Sequence, residues 1–322
     1  MRATTMVRFP RHPAPALVLV GALLLAGCSP AGPGPDAGSA PASSAGASSP
    51  GASSPGLEPL SKVLVVIEEN HTLDQMRAGM PYAASLADEY GYATHWSALT
   101  HPSEPNYLAI VGGSTYGVVD DRAPDANAAK VGHAQSIFGQ ALAADRTART
   151  YAESMPGTCH VWDHPDKAVA TPTYAVRHNP WVYFADERDQ CAEHDVDLST
   201  FADDAAHDRL PNVGLLIPDL THDAHDGSLA AADRWLRQQL GPVLDSADFR
   251  TGRLAVVITA DEDDRSRDNR VLTAVLHVGL SHEVVDTPLN HYSLTRFMAE
   301  VLGVRPLGEA DGAPDLRAAF GI

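Results

Sequence analysis

Val63-Leu64-Val65-Val66-Ile67 is an unbroken apolar, mostly β-branched run, a pattern that predicts a short strand covered on both faces. Residues 213–217, 254–259 and 271–278 have the same character, and residues 149–153 form a weaker candidate. Helical patterns lie between them, over residues 81–90, 136–144 and 228–240. In a last one, Leu294, Phe297, Met298, Val301 and Leu302 share a face. Strands alternating with helices predict an α/β fold with a mostly parallel central sheet and helices on both faces. In such sheets ligands bind beyond the carboxyl ends of the strands, and that is where chemistry is to be sought.

The chain begins in a different style. Arg2, Arg8 and Arg11 flank an apolar run, residues 16–26, that is short for a permanent membrane span and closes in Leu25-Ala26-Gly27-Cys28. Small residues followed by one cysteine form a bacterial lipobox. Residues 1–27 therefore read as a lipoprotein signal peptide and Cys28 as the lipidated N-terminus, with plain secretion as the alternative. Residues 28–57 are Ala, Gly, Ser and Pro almost throughout, with too little apolar surface to offset the entropy of ordering. They read as a flexible tether. Residues 58–322 then suffice for one large domain. The expected location is the outer face of the bacterial cell membrane, held by the lipid anchor, or the medium.

The formal charge of −18 argues against nucleic acid as a partner, since no basic stripe is present to release counterions. It also means that an anionic substrate needs a local positive centre. Besides Cys28 the chain has Cys159 and Cys191. An even pair in an exported protein predicts a disulfide, here pinning the irregular stretch between them.

Three of the predicted strands run straight into polar clusters. The first meets Glu68-Glu69-Asn70-His71. The second meets Pro218-Asp219-Leu220-Thr221-His222-Asp223-Ala224-His225-Asp226. The third meets Asp261-Glu262-Asp263-Asp264. Any one of these alone reads equally well as a solvated turn. Together they deliver carboxylates and imidazoles to one sheet edge, a costly arrangement unless a cation neutralises it. Oxygen donors of this kind favour Mg²⁺, Ca²⁺ or Mn²⁺ over a thiolate-type zinc site. A two-zinc arrangement adding Asp219, Asp223 and His225 is the alternative.

Ser103-Glu104-Pro105, followed by an apolar run, looks like the start of a helix with serine at the cap and proline in the first turn. Free amides at a helix N-terminus suit a phosphate, so Ser103 is either a plain capping serine or a nucleophile candidate. No Gly-x-Ser-x-Gly elbow, Walker loop or dinucleotide fingerprint is present. His225 and His291 complete the candidates. The first stands in a polar run and the second opens the last helix.

These pieces resemble the bacterial phosphoesterase family of acid phosphatases and phospholipases C, within the alkaline-phosphatase superfamily. The pattern is closest to the secreted acid phosphatase and phosphatidylinositol 3-phosphate phosphatase branch. Glu68-Glu69-Asn70-His71-Thr72, Pro102-Ser103-Glu104-Pro105-Asn106-Tyr107, Asp223-Ala224-His225-Asp226-Gly227, Asp261-Glu262-Asp263 and His291-Tyr292-Ser293-Leu294 carry it. Glu153-Ser154-Met155-Pro156 and Arg177-His178-Asn179-Pro180-Trp181 add to it.

The resemblance implies an alkaline-phosphatase-like fold and a divalent metal held by Glu69, Asn70, Ser103, Asp261 and Glu262. It implies a Ser103 nucleophile, His225 and His291 at the phosphoryl group, and a phosphate-ester substrate. His71, His101, Asn106 and Asp226 are expected to contact that substrate. Glu104 and Ala224 depart from the family's usual apolar and larger residues. The implied reaction is phosphomonoester hydrolysis through a phosphoserine. The rivals are a phospholipase C-type phosphodiesterase, a metal-free serine esterase and a non-catalytic lipoprotein that binds phosphorylated ligands.

Overall fold

The computed structural model describes residues 56–168, 170–171 and 173–322. The expected signal peptide, Cys28 and the tether up to residue 55 lie outside the described residues. The strands are β1 (Lys62–Glu68), β2 (Gly91–Ala93), β3 (Trp96–Ser97), β4 (Ala148–Ala152), β5 (Asp195–Asp197), β6 (Val213–Ile217), β7 (Leu254–Ala260), β8 (Thr273–Leu276), β9 (Glu283–Val285) and β10 (Leu289–Asn290). Eight of them form one sheet in the order β5-β4-β6-β1-β7-β8-β2-β9, and β10 pairs with β3.

From β5 to β7 every neighbouring pair is parallel. The apolar runs explain the centre of the sheet: all of β6 and β7 is buried, as is β1 from Val63 onward. Strand β8 departs from the expected direction, running antiparallel to both β7 and β2. The reason lies in the connection. Residues 261–272 contain no helix, and a parallel return normally needs a helical crossover. The short strands β2, β5 and β9 were not expected, because three residues carry too little periodicity to be read.

Two groups of helices cover the sheet. Ser103–Gly112, Ile137–Ala143 and His291–Leu302 pack together on one side, and Leu73–Gly79, Pro81–Glu89, Phe201–Ala206 and Leu229–Asp245 on the other. Two of them open on a serine cap. Ser136 accepts from Gly139 N, and Ser228 accepts from Ala231 N. The helix expected to end near Leu240 continues to Asp245 with Pro242 inside it, which places Val243 in the core.

Three features position the site. Strands β6, β1 and β7 are adjacent, and Val63 lies opposite both Val213 and Ala255, so their polar continuations leave at one edge. Beyond the ladder, Asp261 N donates to Glu68 O at 3.0 Å and Glu69 N to Asp223 O at 2.8 Å, which knits the three loops together. Cys159 and Cys191 form the expected disulfide, with Cα atoms 5.4 Å apart, and close the irregular stretch between them.

Candidate active site

At the end of β1 the backbone turns sharply. Asn70 adopts φ +56°, a left-handed conformation that asparagine tolerates better than most residues. The turn aims Asn70 N at Asp261 Oδ1, 3.1 Å away, and Asn70 Nδ2 at Glu69 Oε2, 3.0 Å away. Glu69 is completely buried, and its carboxylate is the hub of the site. It accepts from Ser103 Oγ at 3.1 Å and from Tyr107 OH at 2.7 Å.

Ser103 and Tyr107 share the helix Ser103–Gly112, which is buried along its entire length. A helix without a polar face has to sit inside the protein, and here it is anchored at its far end. Thr295 Oγ1 lies 2.8 Å from both Ala109 O and Ile110 O, carbonyls near that end. Ser103 is the first helical residue rather than the cap, a position taken by Pro102. One amide expected to be free is used, since Glu104 N donates to Asp121 Oδ1 at 3.0 Å.

His178 lies on the other side of Glu69. Its ring stacks on Tyr107 with centroids 5.1 Å apart. Nε2 is 3.1 Å from Glu69 Oε1 and Nδ1 is 3.1 Å from Asp223 Oδ2. Burial, reinforced by Arg177 and His225, holds His178 well below the usual histidine range and so uncharged. A neutral imidazole has one N–H, so it can donate to only one of the two carboxylates.

The carboxylates meet the same difficulty. Burial and then mutual repulsion with Asp261 and Asp223 push Glu69 well above its ordinary value. Burial pushes Asp261 up to about 7 and raises Asp223 strongly. Whichever nitrogen of His178 carries the hydrogen, one of its two carboxylate contacts goes unmade, and the buried Asp261 Oδ2 has no hydrogen-bond partner. Donor atoms of Glu69, His178 and Asp223 all lie within 4.8 Å of one another. Unpartnered oxygens and an imidazole nitrogen around a carboxylate hub are the donor set of a divalent cation, so the residues present fit one.

The expected residues fall into two groups. Glu69, Asn70, Ser103 and Asp261 come together as described. His71 also joins them, its Nδ1 donating to Glu69 O at 2.7 Å. Glu262, expected among the ligands, has Oε1 2.9 Å from His101 Nδ1 and Oε2 3.3 Å from Asn106 Nδ2. His101 Nε2 in turn lies 3.3 Å from Asp263 Oδ1. Asn106, expected at the substrate, is fully buried and pins the preceding loop instead. Its Oδ1 accepts from Leu99 N and Thr100 N, and its Nδ2 donates to Thr100 O.

His291 needs the plainest correction. The ring is buried, Nε2 donates to Asp261 O at 2.7 Å and Nδ1 accepts from Trp96 Nε1 at 3.3 Å. Both nitrogens are committed and burial pushes its pKa down to about 4, so the ring positions the Asp261 backbone and has no nitrogen left for a phosphoryl group. His225 is partly open, with Nδ1 2.7 Å from Asp226 Oδ1 and Nε2 3.1 Å from Arg177 Nη2.

The alternative set of Asp219, Asp223 and His225 is not assembled. Asp219 accepts from Ser154 Oγ at 2.6 Å and belongs to a separate group with Glu153 and His222. Glu104 turns inward, accepting from Asn127 Nδ2, and burial pushes it up to about 8. Ala224 sits at φ +71°, where a bulkier side chain adds strain. His178, Tyr107 and Arg177 received no role from the sequence. The available signal was their place in polar stretches beside apolar runs, and it does not say which way they point.

Comparison with known proteins gives the same picture. The chain is 29% identical over 267 residues to a phosphatidylinositol-3-phosphatase of Mycobacterium tuberculosis, a match covering 82% of this chain and 84% of that one. It is 28% identical to an acid phosphatase of Aspergillus fumigatus over 70% of this chain, but spans only 51% of the fungal protein. A structure from the alkaline phosphatase superfamily of Vibrio parahaemolyticus superposes with a TM-score of 0.52 at 11% identity, covering 82% of this chain and 72% of the other, and shares the fold. Residues 75–305 match the Phosphoesterase family, and the chain belongs to that family of phosphoric ester hydrolases.

Proposed function

We propose that the protein is an exported, metal-dependent phosphomonoester hydrolase that works through a phosphoserine at Ser103. The observation that carries this reading is the placement of the Ser103 hydroxyl. It stands 3.1 Å from Glu69 Oε2 and within hydrogen-bond reach of Asp261, whose buried Oδ2 has no partner. Glu69, Asn70, Ser103 and Asp261 would hold the cation, with Asp223 and His178 as further donors sharing Glu69. When bound, it lowers the pKa of the hydroxyl and neutralises phosphoryl charge.

The chain's own residues do the rest. The hydrogen bond to Glu69 Oε2 orients Ser103 Oγ for in-line attack on phosphorus. Arg177 brings positive charge to the open side of an otherwise acidic site, where phosphoryl oxygens collect. Once Arg177, which donates to His225 Nε2 at 3.1 Å, turns to the phosphoryl oxygens, that nitrogen is released. His225, oriented by Asp226 and protonated, gives its Nε2 proton to the departing alcohol, and the neutral ring then takes one from the water that hydrolyses the phosphoserine. The names of the relatives point to monoesters, phosphoinositides among them. Residues 1–27 as a lipoprotein signal peptide, Cys28 as the anchor and residues 28–57 as the tether complete the proposal.

A substrate panel tests it. Phosphate release from monoesters should exceed hydrolysis of phosphodiesters, stop on chelation and return with Mg²⁺, Mn²⁺ or Ca²⁺. Ser103→Ala should lower turnover by at least about a thousandfold. Activity that survives exhaustive chelation, or a Ser103→Ala variant as active as the parent, would falsify the reading.

A further inference from the structure

A cavity of about 560 Å³ is lined by residues that touch or adjoin those of the site. Two of its wall residues connect it to the chemistry. Asp121 accepts the amide hydrogen of Glu104, the residue after Ser103, at 3.0 Å. Val176 directly precedes Arg177 and His178. The cavity thus lies one contact away from the first turn of the Ser103 helix, and its volume is in the range of small-molecule sites.

The far wall is aromatic. Trp162 lines the cavity with its side chain 50% exposed, an unusual surface position for a residue that usually loses more water contact than that. His160 and His164 line it too, edge to face with centroids 6.1 Å apart, and burial holds His160 below the usual histidine range. The wall is braced. His160 follows the disulfide residue Cys159, its carbonyl accepts from Tyr174 OH at 2.8 Å, and His164 N donates to Tyr174 O at 3.0 Å. Of the three acids in the wall, Asp163 accepts from Val176 N at 2.9 Å and pairs with Lys167 Nζ at 2.6 Å, Asp121 accepts from Glu104 N, and Asp166 accepts from Ala168 N at 2.8 Å.

We infer that this cavity is the leaving-group subsite, and that it selects phosphomonoesters whose alcohol carries a ring able to lie on the Trp162 indole. The inference rests on the hydrolase reading for its chemistry, but not for its geometry. An indole face stacks on an aryl ring or on the C–H face of a sugar ring, and its low conformational freedom keeps the entropic cost small. Open-chain alcohols gain little from it.

The test uses the full chain with its disulfide intact. Turnover is compared on phenyl phosphate, a hexose 1-phosphate and glycerol phosphate, for the parent, Trp162→Ala and Trp162→Phe. Trp162→Ala should raise KM for ring substrates about tenfold with kcat nearly unchanged, leave glycerol phosphate untouched, and be largely rescued by Trp162→Phe. Loss on only one of the two ring substrates identifies the ring as aryl or sugar. Equal effects on all three substrates, or none, overturn the subsite while leaving the hydrolase reading intact. A binding measurement covers the opposite case. Phenylphosphonate, but not methylphosphonate, should shift the Trp162 indole N–H resonance. If it does so in a protein that hydrolyses no ester, the subsite stands and the hydrolase reading falls. If neither phosphonate shifts it, the subsite falls.

Discussion

Glu69 meets Ser103, Tyr107, Asn70 and His178 within one buried carboxylate. A group so constrained depends on its neighbours for orientation, so Tyr107 matters without touching phosphorus. Tyr107→Phe removes the 2.7 Å bond but keeps the ring stacked on His178. It should weaken metal affinity by about tenfold or more, read from activity against free metal concentration, while the fold persists. Asp195, bound to Asn179 next to His178, gives a pH prediction. Burial pushes it up to about 7, against about 4 in an unfolded chain, although Thr150 and Asn179 hydrogen-bond to it. The folded state thus keeps the proton to higher pH. The stability tied to this residue is complete below about pH 4 and is lost as pH rises through 7. Asp195→Asn should flatten that loss, and urea midpoints between pH 5 and 8 would show it. Residue roles of this kind were only partly legible. Glu69, Asn70 and Asp261 could be named from strand ends and Ser103 from a helix start, whereas His178 could not, because nothing local says where an imidazole in an irregular loop points.

At the scale of elements, the buried helix Ser103–Gly112 transmits position from its far end to Ser103. Thr295 belongs to the last helix and holds that end through the carbonyls of Ala109 and Ile110. Thr295→Val keeps the shape and removes the donor. It should cost roughly 1–2 kcal/mol of stability by urea denaturation and lower kcat more than KM. The last helix is itself set by a reciprocal cap between Asn290 and Ser293, and Asn290→Ala should cost about 1 kcal/mol. Helices with a clear apolar face were legible in the sequence, whereas the cap expected at Ser103 falls one residue earlier, at Pro102. The direction of β8 was not, since apolar runs are the same read in either direction and only the short connection from β7 reverses it.

For the whole molecule, the disulfide joins cysteines 32 residues apart. Replacing both with serine frees that loop in the unfolded chain and should cost about 3–4 kcal/mol, measurable as a fall in the denaturation midpoint. The same variant should disturb the Trp162 wall, which begins at Cys159, and His178, which lies within the same loop, more than Glu69 and Asp261 at the sheet edge. Among the described residues no helix is long and apolar enough to cross a membrane. Under the proposed mechanism the acidic chain needs the cation and Arg177 to draw in an anionic substrate.

The amino-acid order alone was enough to place the central strands and the edge where chemistry collects, because burial on both faces of a strand leaves an apolar run that any reader of the chain can see. It was also enough to pair the cysteines and to single out Ser103. Tertiary structure alone decided which side chains face each other there. Turns with positive φ at Asn70, Ser154 and Ala224 set directions that periodicity does not encode. Contacts between residues far apart in the chain bring His178 to Glu69 and turn Glu262, Asn106 and His291 to other partners. A side chain beyond the end of a strand is aimed by its loop and its neighbours, and those exist only once the chain has folded.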